Sequence, residues 1–118
     1  MNTTEMSCPT HQVTIWIGGD LSIIRNTLAK YCGAKGFCVS VTPTEFIYSG
    51  GVESGASIGI INYARFPAEH DLEDSAIDLA YFLLRSTHQR SCSVIVASGT
   101  TYFIQNNAIS SRAAEKGR

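Results

Sequence analysis

Residues 56–63, ASIGIINY, are apolar or β-branched at nearly every position. A strand with one face in water alternates apolar and polar residues, and this run does not, so it predicts a strand covered on both faces. Gly59 inside it predicts a bulge or a close backbone approach. The run is bounded by residues 49–55, a three-glycine stretch read as a loop, and by Pro67, which ends the pattern. Such a strand needs layers around it, and the rest of the chain has to supply them.

Residues 12–17, QVTIWI, alternate Val13, Ile15 and Ile17 with Thr14 and Trp16, a strand ended by Gly18 and Gly19. Asp20 suits an N-cap. Leu21, Ile24, Leu28 and Tyr31 then recur at helical spacing, with Gly33 as the residue that closes the helix. Phe37, Val39 and Val41 form a second strand. Thr42, Pro43 and Thr44 read as a turn, and residues 45–48 as a short strand after it. Asp71 caps a second helix with Glu73, Asp74 and Asp78 toward its positive end. Its apolar face, Leu72, Ala76, Leu79, Ala80 and Leu83, is widened by Tyr81, Phe82 and Leu84, so it is expected to be covered on more than one side. Residues 91–97 are another strand, and residues 101–105 a short last one.

The chain of 118 residues fits one domain, read as a leader over 1–11, an α/β body over 12–105 and a loosely ordered tail over 106–118. A net charge of −1 gives no support for a nucleic-acid binder, and no apolar run approaches a membrane span. The N-terminus has neither the basic start nor the apolar core of a signal peptide, which points to a cytoplasmic protein. The four cysteines show no C-x-x-C spacing; Cys8 lies in the polar leader, and Cys32, Cys38 and Cys92 are expected as free thiols packed as small core residues, with no metal and no cofactor, a zinc site or redox pair being the alternative.

The order is β-α-β(β)-β-α-β(β), two β-α-β halves over 12–42 and 56–97. It predicts an α/β (α+β) two-layer sandwich, a mixed sheet with both helices on one face. Trp16, Phe46 and Tyr48 then look toward the uncovered face, and an apolar open face predicts self-association into a trimer or hexamer. In element order, lengths and the Gly50-Gly51 pair, residues 13–104 resemble the tautomerase (macrophage migration inhibitory factor-like) plan, and ferredoxin-like folds share the same string. The tautomerase resemblance implies trimers with ligand sites between subunits and catalysis by an N-terminal proline. Pro9 stands behind MNTTEMSC, so its nitrogen is an amide and that chemistry requires removal of the leader. In size and plan the chain is also similar to the first family of phage Thoeris anti-defence sponges, which implies a cytoplasmic oligomer that binds cyclic ADP-ribose-type signals without cleaving them.

Residues 50–67 carry the densest set of ligand-type side chains. Arg65 can clamp a phosphate or carboxylate through two parallel hydrogen bonds, with Tyr63 and Phe66 as stacking surfaces. Asn62 can read a base or ribose edge. Glu53 can accept from a hydroxyl or amine, and Gly51 lets backbone amides approach an anion. Gly18 and Gly19 before a helix form a second possible anion site, with Arg25 one turn in. The bland alternatives are a surface arginine paired with Glu69 or Asp71, a solvated loop acid, and a helix cap. His70 and His88 lack partners at useful spacing, and no nucleophile motif is present, so no catalytic residue is assigned. The sequence therefore reads as a non-catalytic protein that sequesters a small anionic, nucleotide-derived ligand at subunit junctions. Two alternatives are an isomerase, given leader removal, and a structural or protein-interaction subunit.

Overall fold

The computed structural model describes residues 2–7, 12–61 and 72–105. Its elements are β1 (Gln12–Gly18), α1 (Leu21–Lys35), β2 (Ser40–Tyr48), β3 (Gly51–Ile61), α2 (Leu72–Ser86), β4 (Ser91–Val96) and β5 (Gly99–Ile104). The strands form one sheet in the order β2-β3-β1-β4-β5.

Every neighbouring pair is antiparallel, where a mixed sheet was expected. The two β-α-β halves are interleaved rather than set side by side. β1 and β2 are both antiparallel to β3, so they run parallel to each other with β3 between them; β3 and β4 flank β1 in the same way. This is the split β-α-β arrangement, with β5 added at one edge. The two-layer plan itself holds. Val13, Ile15 and Ile17 of β1, Ala56, Ile58 and Ile60 of β3, and Cys92 and Val94 of β4 form a single buried cluster with Ile24, Leu28 and Tyr31 of α1 and six residues of α2. Both helices therefore lie on one sheet face.

Asp20 caps α1 as its type predicts, its carboxylate accepting from the Ile23 amide at 3.1 Å. The helix runs past Gly33 to Lys35, and Gly36 closes it in the left-handed conformation with its amide bonded to the Cys32 carbonyl. Ala76 and Ala80 of α2 are fully buried, and their small side chains let the helix sit close to the sheet. On its outer side α2 also meets α1 through a tilted Tyr31–Phe82 ring pair, centroids 5.3 Å apart, so it is covered from two directions.

Three strand readings change. β2 is one continuous strand through Pro43, which pairs with Ala56; β2 is an edge strand, where a residue without an amide hydrogen is tolerated. Residues 51–55 are not a loop but the first half of β3, paired to β2 from Tyr48↔Gly51 onward. The turn is only Ser49 and Gly50, and Gly50 takes the positive φ of 94° that a tight reversal needs at its second position. Among the described residues, helices cover β3 on one face only. Its other face carries Glu53, Gly55, Ser57, Gly59 and Ile61, and Gly59 marks a close approach, by the Ser40 side chain, without a bulge in the register. Among the described residues no helix is long and apolar enough to cross a membrane.

Candidate functional site: a corner of the uncovered sheet face

Cross-strand partners share a sheet face, so the register defines the surface opposite the helices. One row across all five strands reads Thr42, Ser57, Trp16, Ser93, Tyr102. Its neighbours are mostly Ser, Thr and Gly, with Phe46, Ile61 and Ile95 among them. The result is a hydroxyl-lined face around one indole.

At the end of this face nearest the β1–α1 turn, several of these groups meet. Phe46 stands directly opposite Glu53, and its ring packs edge-on against Trp16 at a centroid distance of 6.4 Å. The Glu53 carboxylate lies over Gly18, where any side chain would collide with it, and a side chain at Gly55 would meet the Ile17 carbonyl first and then the Phe46 ring. Glycine at these two positions opens the space that the carboxylate and the ring occupy. The adjoining turn is pinned: the Gly19 amide donates to the Ser54 carbonyl at 2.8 Å, and the Gln89 side chain lies against Gly19.

This bears on each residue singled out from the sequence. Glu53 moves from a loop to a strand, beside two aromatic rings, and it is exposed. Gly51 lies on the same face two residues before it, next to the Tyr48 ring at the hairpin tip. At the Gly18-Gly19 turn the Gly19 amide serves Ser54, and the Ile23 and Ile24 amides serve Asp20. Arg25 is exposed on α1. Asn62, Tyr63, Arg65, Phe66, His70 and Pro9 lie outside the described residues. Trp16 and Phe46 were legible as open-face residues, yet only the register brings them to Glu53. Among the described residues no three His, Cys, Asp or Glu side chains are grouped to hold a metal ion.

Chemically, a carboxylate that pairs with no cation among the described residues, set opposite Phe46 in the register, can accept from ribose hydroxyls or an exocyclic amine. It can equally face a positive centre such as a sulfonium.

Two solved structures are similar to the chain. A phage SAM lyase in complex with S-methyl-5'-thioadenosine superposes with a TM-score of 0.66 at 16% identity, covering 90% of this chain and 98% of that one. A phage SAM lyase in its apo state gives 0.65 at 17% identity, covering 88% and 97%. The chain shares their fold. No protein-family model matches it, and no curated protein matches it. The tautomerase resemblance gains no support from these comparisons.

Proposed function

We propose that this protein binds a small adenosine-containing ligand at the Trp16–Phe46–Glu53 corner, and that a second copy of the chain completes the site. The observation that carries the reading is the Glu53 carboxylate over Gly18, opposite Phe46 and its Trp16 ring partner, on a sheet face that no described helix covers. Rings of this kind stack on a purine, and a carboxylate accepts two hydroxyls of a ribose. The solved structure with S-methyl-5'-thioadenosine shares this fold, which supports a ligand of the S-adenosylmethionine and thioadenosine class. The face is rich in small residues, so another protomer can approach it closely; a trimer or a pair of trimers fits the reading.

A second reading rests on Arg65. It stands with Asn62, Tyr63 and Phe66 directly after β3 in sequence, a cation among aromatics, and would supply the charge to hold an anionic cyclic ADP-ribose-type signal in a host cytoplasm, as a phage counter-defence sponge does. Both readings share the adenosine moiety.

Calorimetry with S-adenosylmethionine, S-methyl-5'-thioadenosine and cyclic ADP-ribose separates them. Binding in the thioadenosine series, weakened by Glu53→Gln, supports the first; binding of cyclic ADP-ribose alone, lost in Arg65→Ala, supports the second. Chromatography of the S-adenosylmethionine mixture over time distinguishes holding from cleavage through release of the thioadenosine. If no adenosine ligand binds while light scattering shows an oligomer, the protein is an interaction subunit and the proposal fails.

A further inference from the structure

The helix layer carries a second feature, on the side of the molecule opposite the sheet corner. An open cleft of roughly 770 Å³ lies between α1 and α2. Three cations line it, Lys30 and Lys35 from α1 and Arg85 from α2, together with Tyr31, Tyr81 and Phe82. The Arg85 guanidinium is not loose: it lies 5.5 Å from the Tyr81 ring centroid and donates to the Tyr81 hydroxyl at 2.9 Å. An acid of the cleft, Asp78, accepts from the part-buried Tyr31 hydroxyl at 2.7 Å.

We propose that this cleft binds a small planar monoanion or dianion, of the aryl or nucleoside monophosphate class, with its ring on Tyr81 and Phe82 and its phosphate among Lys30, Lys35 and Arg85. The charge balance decides the sign of the ligand. Among the described lining residues three positive side chains face one carboxylate, an excess of positive charge that favours an anionic ligand. Helix dipoles alone favour cations in these last turns, but they do not direct them; the Tyr81 ring and hydroxyl fix where Arg85 points. The volume lies within the usual range of small-molecule sites, about 300–1,000 Å³. Guanidinium and ammonium groups beside ring faces are the donors that phosphate and aromatic ligands use. The proposal does not rest on the sheet-corner reading.

The test uses the full chain and 1-naphthyl phosphate, which lacks adenosine, with inorganic phosphate as the comparison. Calorimetry is expected to show naphthyl phosphate binding at least tenfold more tightly than phosphate, and more weakly as salt rises. Amide shifts in a ¹H–¹⁵N spectrum are expected in residues 30–35 and 78–86. Arg85→Ala should weaken binding at least tenfold, and Tyr81→Leu should reduce the preference over inorganic phosphate. Lys30, Lys35 and Arg85 are exposed, so their replacement leaves the core intact. No binding at millimolar concentration overturns the proposal. So does binding that survives the combined K30A, K35A and R85A changes, or shifts that map to the open sheet face.

Discussion

The Glu53 carboxylate of β3 lies over Gly18 of β1, in the space where a side chain at Gly18 would have to be. Two residues 35 positions apart thus define one surface, and the absence of a Cβ at the first sets the position of the acid at the second. Gly18→Val is expected to push the carboxylate off the corner and weaken adenosine-ligand binding at least as much as Glu53→Gln does. Glu53 is exposed and can swing into solvent, so the stability change should stay within about 1 kcal/mol. Paired calorimetry and urea denaturation of the variant check both halves.

The Tyr31 hydroxyl ties α1 to α2 through Asp78. A hydrogen bond to a charged acceptor contributes roughly 1.5–3 kcal/mol, and partial exposure of this one places it near the lower figure. Tyr31→Phe should therefore lower the unfolding free energy by about 1–2 kcal/mol while keeping the ring contacts to Phe37 and Phe82. The urea midpoint of Tyr31→Phe against the parent reads this directly.

Alkaline pH should destabilise the fold in two stages. Burial pushes the Cys92 thiol up from 9.0 to about 11, partly offset by a backbone hydrogen bond at Phe103. Burial, with the bond to Asp78 and that group's charge, holds the Tyr31 phenol well above its ordinary range. A native pKa above the unfolded one means the native state holds its proton more tightly. That contribution is complete below the unfolded pKa and disappears as pH rises through the native pKa. The Cys92 contribution should fall between pH 9 and about 11, and that of Tyr31 from about pH 10 upward. Urea midpoints from pH 8 to 11 should decline, with the first part absent in Cys92→Ala and the second reduced in Tyr31→Phe.

The tip of the β2–β3 hairpin predicts an interface. Ile47 and Val52 face each other across the two strands and are 82% and 57% exposed, on the side of the sheet that the helices cover elsewhere. Exposed apolar pairs of this kind mark association surfaces. Ile47→Asp with Val52→Lys is expected to lower the mass seen by light scattering while circular dichroism stays unchanged. An unchanged mass removes this hairpin from the assembly.

Local patterns made several elements legible before any coordinates. Alternation in residues 12–17, the Asp20 cap and the apolar stripe of α2 all act within a few residues, and β1, α1 and α2 followed from them. Pro43 misled because its effect depends on position in the sheet: in a central strand it would break the ladder, but β2 is an edge. Residues 51–55 misled because glycines that open space for Glu53 and Phe46 have the same composition as a loop. Strand neighbours were not legible either, since β1 pairs with β3 and β4 rather than with β2. The Trp16–Phe46–Glu53 corner and the Tyr31–Asp78 bond are long-range contacts without a local signal. Arg85 over Tyr81 had one, a spacing of four on a helix. Asn62, Tyr63, Arg65 and Phe66 lie outside the described residues, and their roles stand as proposals.

Titration of S-methyl-5'-thioadenosine into the full chain and into Glu53→Gln tests the central claim most directly. The account predicts saturable binding to the parent chain and at least tenfold weaker binding to the variant, about 1.4 kcal/mol, with the two proteins equally stable in urea. Equal affinity in both proteins, or no binding to either, contradicts it.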